Sequence, residues 1–398
     1  MKINIISIFF PPESGAASGR IYNMAKELSM RGCDVEVITA MPNYPTGKIF
    51  NGYGGLLRKE TVDGISVRRH WIYPSNSRNP VLRVLSMISF SVSMFLSVLH
   101  LRKRRADITI VNSPPLFTGI AGVYLGGMVS KVVAANISDI WPLSALELGV
   151  IERGRFYSLL EKIEKKIYHK SDLCITQSQE TANHIQKIVE KDIFLYRNIA
   201  RENPIVDGSP VRQKKGEAFK IIYAGLLGVA QGVLNIIESI DFYDLDVELH
   251  IYGAGNEKDK IEKYISRIEN SNVFYHGLKP ADEISKILPT FHASLIPLVN
   301  PIYGAFPSKI FTAMASGVPI LFNGEGEGAS FVEKYKVGYV SSSSDLSLLQ
   351  QNIAKMKSLT EEEYQKFRIR ALDLMSTEFS YDFNQENLFS KLNEKING

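Results

Sequence analysis

Short runs rich in β-branched and aromatic residues alternate with longer amphipathic stretches through the first half of this 398-residue chain. The short runs predict strands, and the stretches between them, such as 18–30 and 156–169, have the apolar spacing of amphipathic helices. The predicted strands are residues 3–9, 35–39, 65–70, 108–111, 132–136 and 173–176. Because strands that alternate with helices form parallel sheets covered on both faces, this pattern predicts an α/β fold.

The same alternation begins again in the second half, with predicted strands at 220–224, 247–252, 272–275, 293–296 and 318–322. Between the halves, residues 201–216 lose periodicity and contain several turn formers. We therefore predict two doubly wound, Rossmann-like domains at 1–200 and 217–378, with a linker at 201–216. Residues 379–398 are predicted to form a C-terminal helix that packs back on the first domain. Ligands of such sheets bind at the carboxyl ends of the strands, so we expect a cleft there between two facing domains.

The composition restricts the class of protein. Apolar residues make up 45% and charged residues 22%, which excludes disordered, collagen-like and coiled-coil chains. Cys33 and Cys174 lie far apart, which argues against a disulfide framework and a cysteine-ligated zinc site and favours a reducing compartment. The N-terminal apolar run is short and ends at Pro11-Pro12, so it predicts a strand rather than a signal peptide. These features indicate a cytoplasmic protein.

The formal net charge of +4 is unevenly distributed. Residues 48–105 contain 11 lysines and arginines against two acids, Glu60 and Asp63, whereas the rest of the chain is net negative. A local basic face predicts an anionic surface or a polyphosphate ligand. Nucleic acid is not expected as a partner, because no aromatic residues are interleaved with the basic ones in a recognisable pattern.

Residues 81–101 depart from the alternating pattern. They are mostly apolar, residues 84–99 carry no charge, and four basic residues follow at 102–105. Sixteen uncharged residues span about 24 Å as a helix, which is short of the roughly 30 Å of a bilayer core. A weakly polar stripe recurs at three- or four-residue spacing and consists of Ser86, Ser89, Ser93, Ser97 and His100. Two interpretations stay open for the 81–105 segment: a buried helix of the first domain, or a membrane-associating helix at the lipid interface. Both hold if one face packs and the other contacts lipid.

Glycine-containing loops follow several predicted strands. After the first strand, Pro11-Pro12 and a long loop replace the tight turn of a dinucleotide fingerprint, so NAD is not expected there. Gly15 in that loop either lets the backbone approach a phosphate or serves as a plain turn. Pro307-Ser308-Lys309 begins a predicted helix, and its free N–H groups and lysine predict a diphosphate site.

Taken together, the motifs resemble those of glycosyltransferase family 4, whose GT-B fold has two facing Rossmann-like domains. The motifs are Pro11-Pro12-x-x-Gly15, Arg31-Gly32-x-x-Val35-x-Val37, the loop Gly225 to Gly232, Gly253-x-Gly255, Phe274-x-His276-Gly277 and Ala313-Met314-Ala315-x-Gly317-x-Pro319. Within that family, three further motifs resemble L-fucosamine (L-FucNAc) transferases of O-antigen and capsule synthesis. They are Pro42-Asn43-Tyr44-Pro45-Thr46-Gly47, Asp139-x-Trp141-Pro142 and Pro307-Ser308-Lys309.

The resemblance implies a metal-independent, retaining transferase that needs no cofactor. It would move an N-acetylated deoxy-hexose from a UDP-sugar held by the second domain to a polyprenyl-diphosphate-linked saccharide held by the first, on the inner face of the cytoplasmic membrane. The implied nucleotide-sugar residues are Gly15, Gly225, Gly228, Gln231, Gly253, Gly255, His276, Gly277, Leu278, Ser308, Lys309, Thr312, Glu325 and Glu327. Arg20, Asn43 and Trp141 are candidate acceptor contacts, each with an equally plausible structural role.

The chain also departs from the family pattern. Leu226 and Gln231 stand where the broader family has an arginine and a lysine, so Lys309 is the cation left for the diphosphate. Gly304 and Thr312 align with a glutamate pair of the family. Since a neutral hydroxyl bonds ribose less strongly than a carboxylate does, we expect Glu325 or Glu327 to substitute.

Asp139 is the candidate catalytic residue, and Ser138 precedes it where many family members have histidine. Asp139 would orient the acceptor hydroxyl or take its proton, or it would merely cap a turn. Asp244-Leu245-Asp246 leads into a strand, away from the carboxyl ends, so it is not expected to bind a metal. Two other functions stay open: a nucleotide-sugar epimerase or hydrolase of the same fold, and a non-catalytic sugar-nucleotide-binding scaffold.

Overall fold

The computed structural model describes residues 1–77, 79–199, 201, 217–268, 271–299 and 302–398. The chain divides into two compact units, called here the first and second domains. The first domain comprises Met1–Asn198, Ile302–Gly304 and Gln385–Gly398, and the second comprises Ile199–Pro301 and Ala305–Asn384. The predicted linker, 201–216, lies outside the described residues except for Arg201.

The first domain is built on one sheet whose strands are parallel except for the edge pair β3–β4. Its strand order is β3-β4-β2-β1-β5-β6-β7-β8 within the described part of the chain. Strands β2 to β4 lie on one side of β1, and β5 to β8 lie on the other side. The strand order therefore reverses between β1 and β5. The bounds are β1 Lys2–Ile6, β2 Asp34–Ala40, β3 Leu57–Val62, β4 Ile65–His70, β5 Ala106–Ser113, β6 Ser130–Ile137, β7 Leu173–Thr176 and β8 Ile193–Leu195.

Nearly every residue of the central strands is buried, because helices cover both faces of this sheet. The bounds are α1 Ala16–Met30, α2 Pro80–Ser93, α3 Val98–Arg104, α4 Leu116–Val129, α5 Leu143–Glu147, α6 Arg155–Lys170 and α7 Gln179–Gln186, and a 3-10 turn, Met94–Ser97, joins α2 to α3. The C-terminal helix α15, Tyr381–Asn397, places Leu388 and Leu392 in the first domain's core beside α1. The hydroxyl of Tyr196 donates to Gln385 Oε1 at 2.8 Å.

The second domain has an all-parallel sheet of order β11-β10-β9-β12-β13-β14, again restricted to described residues. Its order reverses between β9 and β12. The strands are β9 Phe219–Ala224, β10 Val247–Tyr252, β11 Val273–Tyr275, β12 Ala293–Leu298, β13 Ile320–Gly324 and β14 Gly338–Ser341. The helices are α8 Val233–Ser239, α9 Lys258–Ile265, α10 Ala281–Ile287, α11 Lys309–Ala315, α12 Glu327–Tyr335, α13 Leu346–Lys357 and α14 Glu361–Ser376.

The predicted strands are present, and three have the predicted bounds: β4, β7 and β10. The prediction missed β3, β8 and β14. Each of these strands lies at a sheet edge, and none of them is the continuous buried run that identifies a central parallel strand. β3 is the clearest case, since Arg58, Lys59 and Glu60 occupy its middle.

The apolar segment 81–104 has its polar side turned inward. Ser93 Oγ donates to the Trp71 carbonyl at 2.5 Å, and Ser97 Oγ lies 2.9 Å from Nε2 of the buried His70. Burial lowers the pKa of His70 to about 4, so the ring is neutral near pH 7. The outward side carries exposed apolar side chains at helical spacing, called here the apolar ridge: Val81, Leu85, Ile88, Val92, Leu96 and Leu99.

By length and composition alone, Val81–Arg104 is apolar enough to cross a membrane, with a mean hydropathy of 1.9 over its best window. This run is longer than the 16 uncharged residues counted in the sequence, because it includes Arg83 and the basic C-terminal turn. About 39% of that window is buried inside the protein, and Phe90, Met94 and Leu101 belong to the first domain's core.

The basic face predicted for residues 48–105 is smaller than the sequence suggests. Arg68 is buried and its Nε lies 3.1 Å from Glu36, while the fully buried Arg69 pairs with Glu60 at 2.5 Å. Arg104 pairs with Asp34 at 2.9 Å. Carboxylates of the same domain therefore neutralise these three arginines, and the predicted local basic face is reduced by them. Arg83, Arg102, Lys103 and Arg105 remain exposed.

Leu388→Ala should destabilise the first domain by about 2–5 kcal/mol, because it removes a fully buried side chain from the core. Trp71 and Trp141 are the chain's two tryptophans and both lie in the first domain, so urea unfolding followed by tryptophan fluorescence reports on that domain. Ser390→Ala, at an exposed position of α15, is the matched control. Equal unfolding midpoints for the two variants would contradict the placement of α15.

Candidate active site

The first domain has a cavity of about 390 Å³ at the carboxyl edge of its sheet, where the strand order reverses. Ligands of doubly wound sheets bind at this place. Phe9 lines the cavity after β1, Pro114 and Pro115 after β5, and Asp139 and Trp141 after β6. The structure thus brings together three of the residues predicted from sequence, because Arg20 of α1 lines the same cavity as Asp139 and Trp141.

Arg20 and Asp139 are charged residues of this cavity and interact electrostatically. Burial raises the pKa of the Asp139 carboxyl, and the positive charge of Arg20 partly opposes that increase. Burial likewise lowers the pKa of Arg20, and Asp139 opposes that change. The Arg20 guanidinium donates to Gln177 Oε1 at 2.7 Å, and the Gln177 amide donates to the Ser138 carbonyl. Gln177 follows β7 and positions Arg20, a role that no motif in the sequence indicated.

Asp139 lies between strand β6 and helix α5. Helix α5 has Pro142 at its N-cap, so Asp139 does not cap that helix. A carboxyl with a raised pKa beside a guanidinium, at the edge of a cavity, can accept a proton from a bound hydroxyl.

Asn43 and Gly15, unlike Arg20, are not among the residues that line the cavity. Asn43 is buried, its amide donates to the Met41 carbonyl at 3.0 Å, and its backbone N–H donates to Glu13 at 2.8 Å. The same Glu13 oxygen accepts from the Tyr44 N–H at 2.8 Å, so Glu13 holds this loop. The structural role is therefore favoured for Asn43. Gly15 is the N-cap of α1 with φ of +135°, and a Cβ on it would lie 3.6 Å from the Tyr44 ring.

In the second domain, two loops at the carboxyl edge approach each other at glycines. A Cβ on Gly253 would lie 1.8 Å from the Gly225 carbonyl oxygen, and one on Gly255 would lie 2.1 Å from the Leu227 carbonyl oxygen. The Leu227 N–H donates to the Ala254 carbonyl at 2.9 Å. These glycines are required for backbone packing, and they join the loops after β9 and β10 into one surface.

Lys309 lies over this surface, next to the place where the second sheet's order reverses. Its Nζ lies 4.6 Å from the centre of the Tyr223 ring and 3.5 Å from the Tyr223 hydroxyl. A Cβ on Gly225 would lie 1.9 Å from Nζ, so glycine leaves room for the ammonium group. Burial lowers the pKa of Lys309 to about 8. Lys309 is the first residue of α11 and Ser308 is its N-cap.

The two glutamates predicted for ribose differ in their surroundings. Glu325 accepts hydrogen bonds from the Ser342 hydroxyl at 2.7 Å and from the Ser343 N–H at 2.9 Å. Burial raises the pKa of Glu325, but these hydrogen bonds outweigh it and the net shift is downward. Glu325 thus serves the loop after β14. Glu327 begins α12 after β13 and is half-buried, as is Thr312 on α11.

The remaining predicted donor residues surround the loops after β9 and β11. His276 stacks on Tyr252 at 4.5 Å, its Nε2 lies 2.9 Å from Nδ1 of His250, and burial lowers the pKa of His276. Leu278 is exposed, and Gly277 has φ of +76°. Gln231 Oε1 is buried and accepts no hydrogen bond from the described residues, and a Cβ on Gly228 would lie 3.0 Å from it.

The surroundings of Gly304 explain why this chain lacks a glutamate at that position. It belongs to the first domain, where its carbonyl accepts from Ser178 Oγ at 2.7 Å. Its φ is +88°, and a Cβ would lie 2.7 Å from Ile140 and from Thr181. Any larger side chain is strained and crowded there.

The Asp244–Asp246 pair lies before β10, at the sheet edge opposite Gly253. Asp246 pairs with Lys357 at 2.8 Å. Within the described ranges, no group of three histidine, cysteine or acidic side chains could hold a metal ion. Metal independence stays a prediction.

Comparison with known proteins identifies the class. The family described as Glycosyl transferase 4-like domain matches residues 15–191, and that described as Glycosyl transferases group 1 matches residues 209–372. The glycosyl transferase WcaI of Escherichia coli (strain K12), named for colanic acid biosynthesis, is 26% identical over 80% of this chain and 82% of its own.

Solved structures share the fold. Sucrose-phosphate synthase from Thermosynechococcus elongatus has a TM-score of 0.73 at 13% identity, covering 99% of this chain and 98% of its own. The pneumococcal O-GlcNAc transferase GtfA, in complex with UDP and GlcNAc, has a TM-score of 0.65 at 13% identity. The match covers 100% of this chain and 99% of GtfA. The protein is a glycosyltransferase with the GT-B fold. More narrowly, the first domain matches a glycosyltransferase 4-like domain and the second a group 1 glycosyltransferase domain, which supports the resemblance to family 4.

Lys309→Met should raise the free energy of unfolding at pH 7, by up to about 3 kcal/mol, because it removes a desolvated charge. Folded Lys309 loses its proton near pH 8, whereas an unfolded lysine keeps it to about 10.5. Between these values the unfolded chain binds more protons, so the wild type gains stability as the pH rises and the advantage of the variant shrinks.

Differential scanning calorimetry at pH 7 and pH 9.5 measures this difference. Lys260→Met, at an exposed position of α9, is the control. A stability difference between Lys309→Met and wild type that is the same at both pH values would show that Lys309 is not desolvated.

Proposed function

We propose that the enzyme transfers an N-acetylated deoxy-hexose, L-FucNAc, from UDP to a saccharide linked to a polyprenyl diphosphate, with retention of configuration and without a metal. The pathway is O-antigen or capsule polysaccharide synthesis. The name of WcaI supports a role in polysaccharide biosynthesis, and the UDP bound by GtfA supports a UDP-sugar donor. The subgroup motifs at 42–47, 139–142 and 307–309 support the choice of sugar.

On the donor side, Lys309 supplies the positive charge for the diphosphate. Its ammonium lies over Gly225, where the joined loops after β9 and β10 present backbone to a ligand. A desolvated cation attracts an anion more strongly than a hydrated one does, and binding would raise the pKa of Lys309 again. Glu325 or Glu327, which follow β13, would accept the ribose hydroxyls.

On the acceptor side, one observation carries the proposal: Arg20, Asp139 and Trp141 line a single cavity at the carboxyl edge of the first sheet. Asp139 would orient the acceptor hydroxyl and receive its proton as the new glycosidic bond forms. Arg20 would hold a phosphate or sugar oxygen, and its charge opposes the increase in the pKa of Asp139. UDP would leave from the same face of the sugar that the acceptor enters.

A first experiment separates the possible functions. Thermal-shift measurements in EDTA compare UDP, GDP, dTDP and NAD, since a ligand at 100 times its dissociation constant stabilises by about 2.7 kcal/mol. We expect a response to UDP, and transfer of labelled sugar to a lipid-linked acceptor in the same buffer. Release of free sugar without an acceptor would indicate a hydrolase, and UDP binding without turnover would indicate a scaffold.

Asp139→Asn should lower kcat by about 10²–10⁴-fold, because it removes the proton acceptor, and should leave the UDP thermal shift unchanged. Activity of the wild type should fall on the acid side at a pH above that expected for an ordinary aspartate, since the pKa of Asp139 is raised. Asp63→Asn, in an exposed turn of the same domain, is the control. Wild-type turnover in Asp139→Asn would remove Asp139 from the chemistry.

The apolar ridge on α2–α3 supports a peripheral position on the inner face of the cytoplasmic membrane. Serines normally face water and leucines the core, but here the serines bond the protein and the apolar side chains point outward. Arg102 and Lys103 follow the ridge and are exposed. An apolar strip that ends in basic residues fits the boundary of an anionic bilayer.

Arg102→Gln/Lys103→Gln should lower binding to phosphatidylglycerol liposomes by roughly 30-fold, since each basic residue near an anionic surface contributes about 1 kcal/mol. Val92→Glu/Leu96→Glu should abolish binding at any salt concentration, because both residues belong to the exposed ridge. Liposome flotation measures both effects. Ile369→Glu, at an exposed position of the second domain, is the control. Flotation equal to wild type in Val92→Glu/Leu96→Glu would reject the membrane-facing ridge.

A further inference from the structure

The cavity of the first domain is much more apolar than a saccharide requires. Arg20, Asp139 and Asn112 lie among its lining residues, but most of the others are hydrocarbon or aromatic. Sugar hydroxyls lose hydrogen bonds to water when they enter such a space, and aliphatic walls cannot replace them. The volume of about 390 Å³ is within the range of ligand pockets. A few charged groups in an otherwise apolar lining predict a ligand that is mostly hydrocarbon and carries a charged group.

The apolar part of the cavity is continuous with exposed apolar surface. Leu148 and Val150, between α5 and α6, and Phe156, in the first turn of α6, line the cavity. These side chains are 53%, 54% and 50% exposed. Monomeric proteins rarely expose contiguous large apolar side chains without a partner. The cavity therefore has an apolar entrance.

Helix α2 connects this cavity to the apolar ridge. Val84 and Met87 line the cavity, whereas Leu85 and Ile88 of the same helix are exposed on the ridge. One helix thus separates an internal apolar space from the surface proposed to contact lipid. Arg83, which is exposed, also lines the cavity. It adds a second cation to Arg20, and such guanidinium groups suit phosphate oxygens.

From these observations we infer that the cavity binds the first isoprene units of a polyprenyl diphosphate, with its phosphates at Arg83 and Arg20 and its saccharide toward Asp139. This inference rests on the proposed function, since it specifies the lipid of the proposed acceptor. It explains why the acceptor site adjoins the membrane-facing helix: the prenyl chain would pass from the bilayer into the cavity beside α2.

Trp141 lines the cavity, so its fluorescence can be used to measure ligand binding there. In a Trp71→Phe background Trp141 is the sole tryptophan, so its fluorescence reports ligands that enter the cavity. Titration with farnesyl diphosphate below its micelle concentration should give a saturable change. Inorganic diphosphate should give a much weaker response, because it lacks the hydrocarbon part. Equal affinity for the two ligands would reduce the site to an anion site and overturn the inference.

Val150→Asp and Phe156→Asp place a carboxylate at the apolar entrance, at half-exposed positions. Each should raise the dissociation constant for farnesyl diphosphate at least tenfold. Met30→Asp, which is exposed at the end of α1 and does not line the cavity, is the matched control. Unchanged affinity in both entrance variants would reject the cavity as the prenyl site.

Failure of the inference and failure of the proposed function are distinguishable. UDP thermal shift and transfer to a water-soluble acceptor test the function without the prenyl group. If transfer occurs but entrance variants raise KM equally for lipid-linked and soluble acceptors, the cavity holds sugar and the inference fails alone. If farnesyl diphosphate binds as expected but no sugar is transferred to any acceptor, the proposed function fails alone.

Discussion

The burial of both faces of two parallel sheets is the constraint on which the rest of the structure depends. Central strands such as β1 and β5 have no solvent-facing side, so every connection must cross over a face and return in the same direction. All carboxyl ends of these strands then meet at one edge of each sheet. Loops at this edge are free of the packing demands of the core, and they carry Asp139 in the first domain and Lys309 in the second.

Desolvated charges mark the candidate sites on both sheets. Asp139, Arg20 and Lys309 each have a pKa shifted toward the neutral form by burial. Burying such groups opposes folding, and the first domain shows the alternative at Arg69, which is fully buried but paired with Glu60. The shifted groups line a cavity or a glycine surface instead. Shifted pKa values at such places are typical of functional sites.

Helix α2 links three properties of the first domain. Its inward serines and apolar side chains complete the core, its outer side forms the ridge, and Val84 and Met87 line the cavity. Residues of α2 thus take part in both the proposed membrane contact and the proposed prenyl site. A helix with its polar side turned inward is stable when the polar groups find partners within the protein, as Ser93 and Ser97 do.

The sequence by itself determined the two α/β domains and the bounds of β4, β7 and β10, because hydrophobic periodicity is a local property. It also placed Asp139 and Lys309 after strands, since strand ends can be read from composition. Only the tertiary structure decided which side of 81–104 faces outward, that Arg68, Arg69 and Arg104 are neutralised by carboxylates, and that Gln177 orients Arg20. Partners such as Gln177 and Arg20 are 157 residues apart, and only the packing of helices and sheets brings them together.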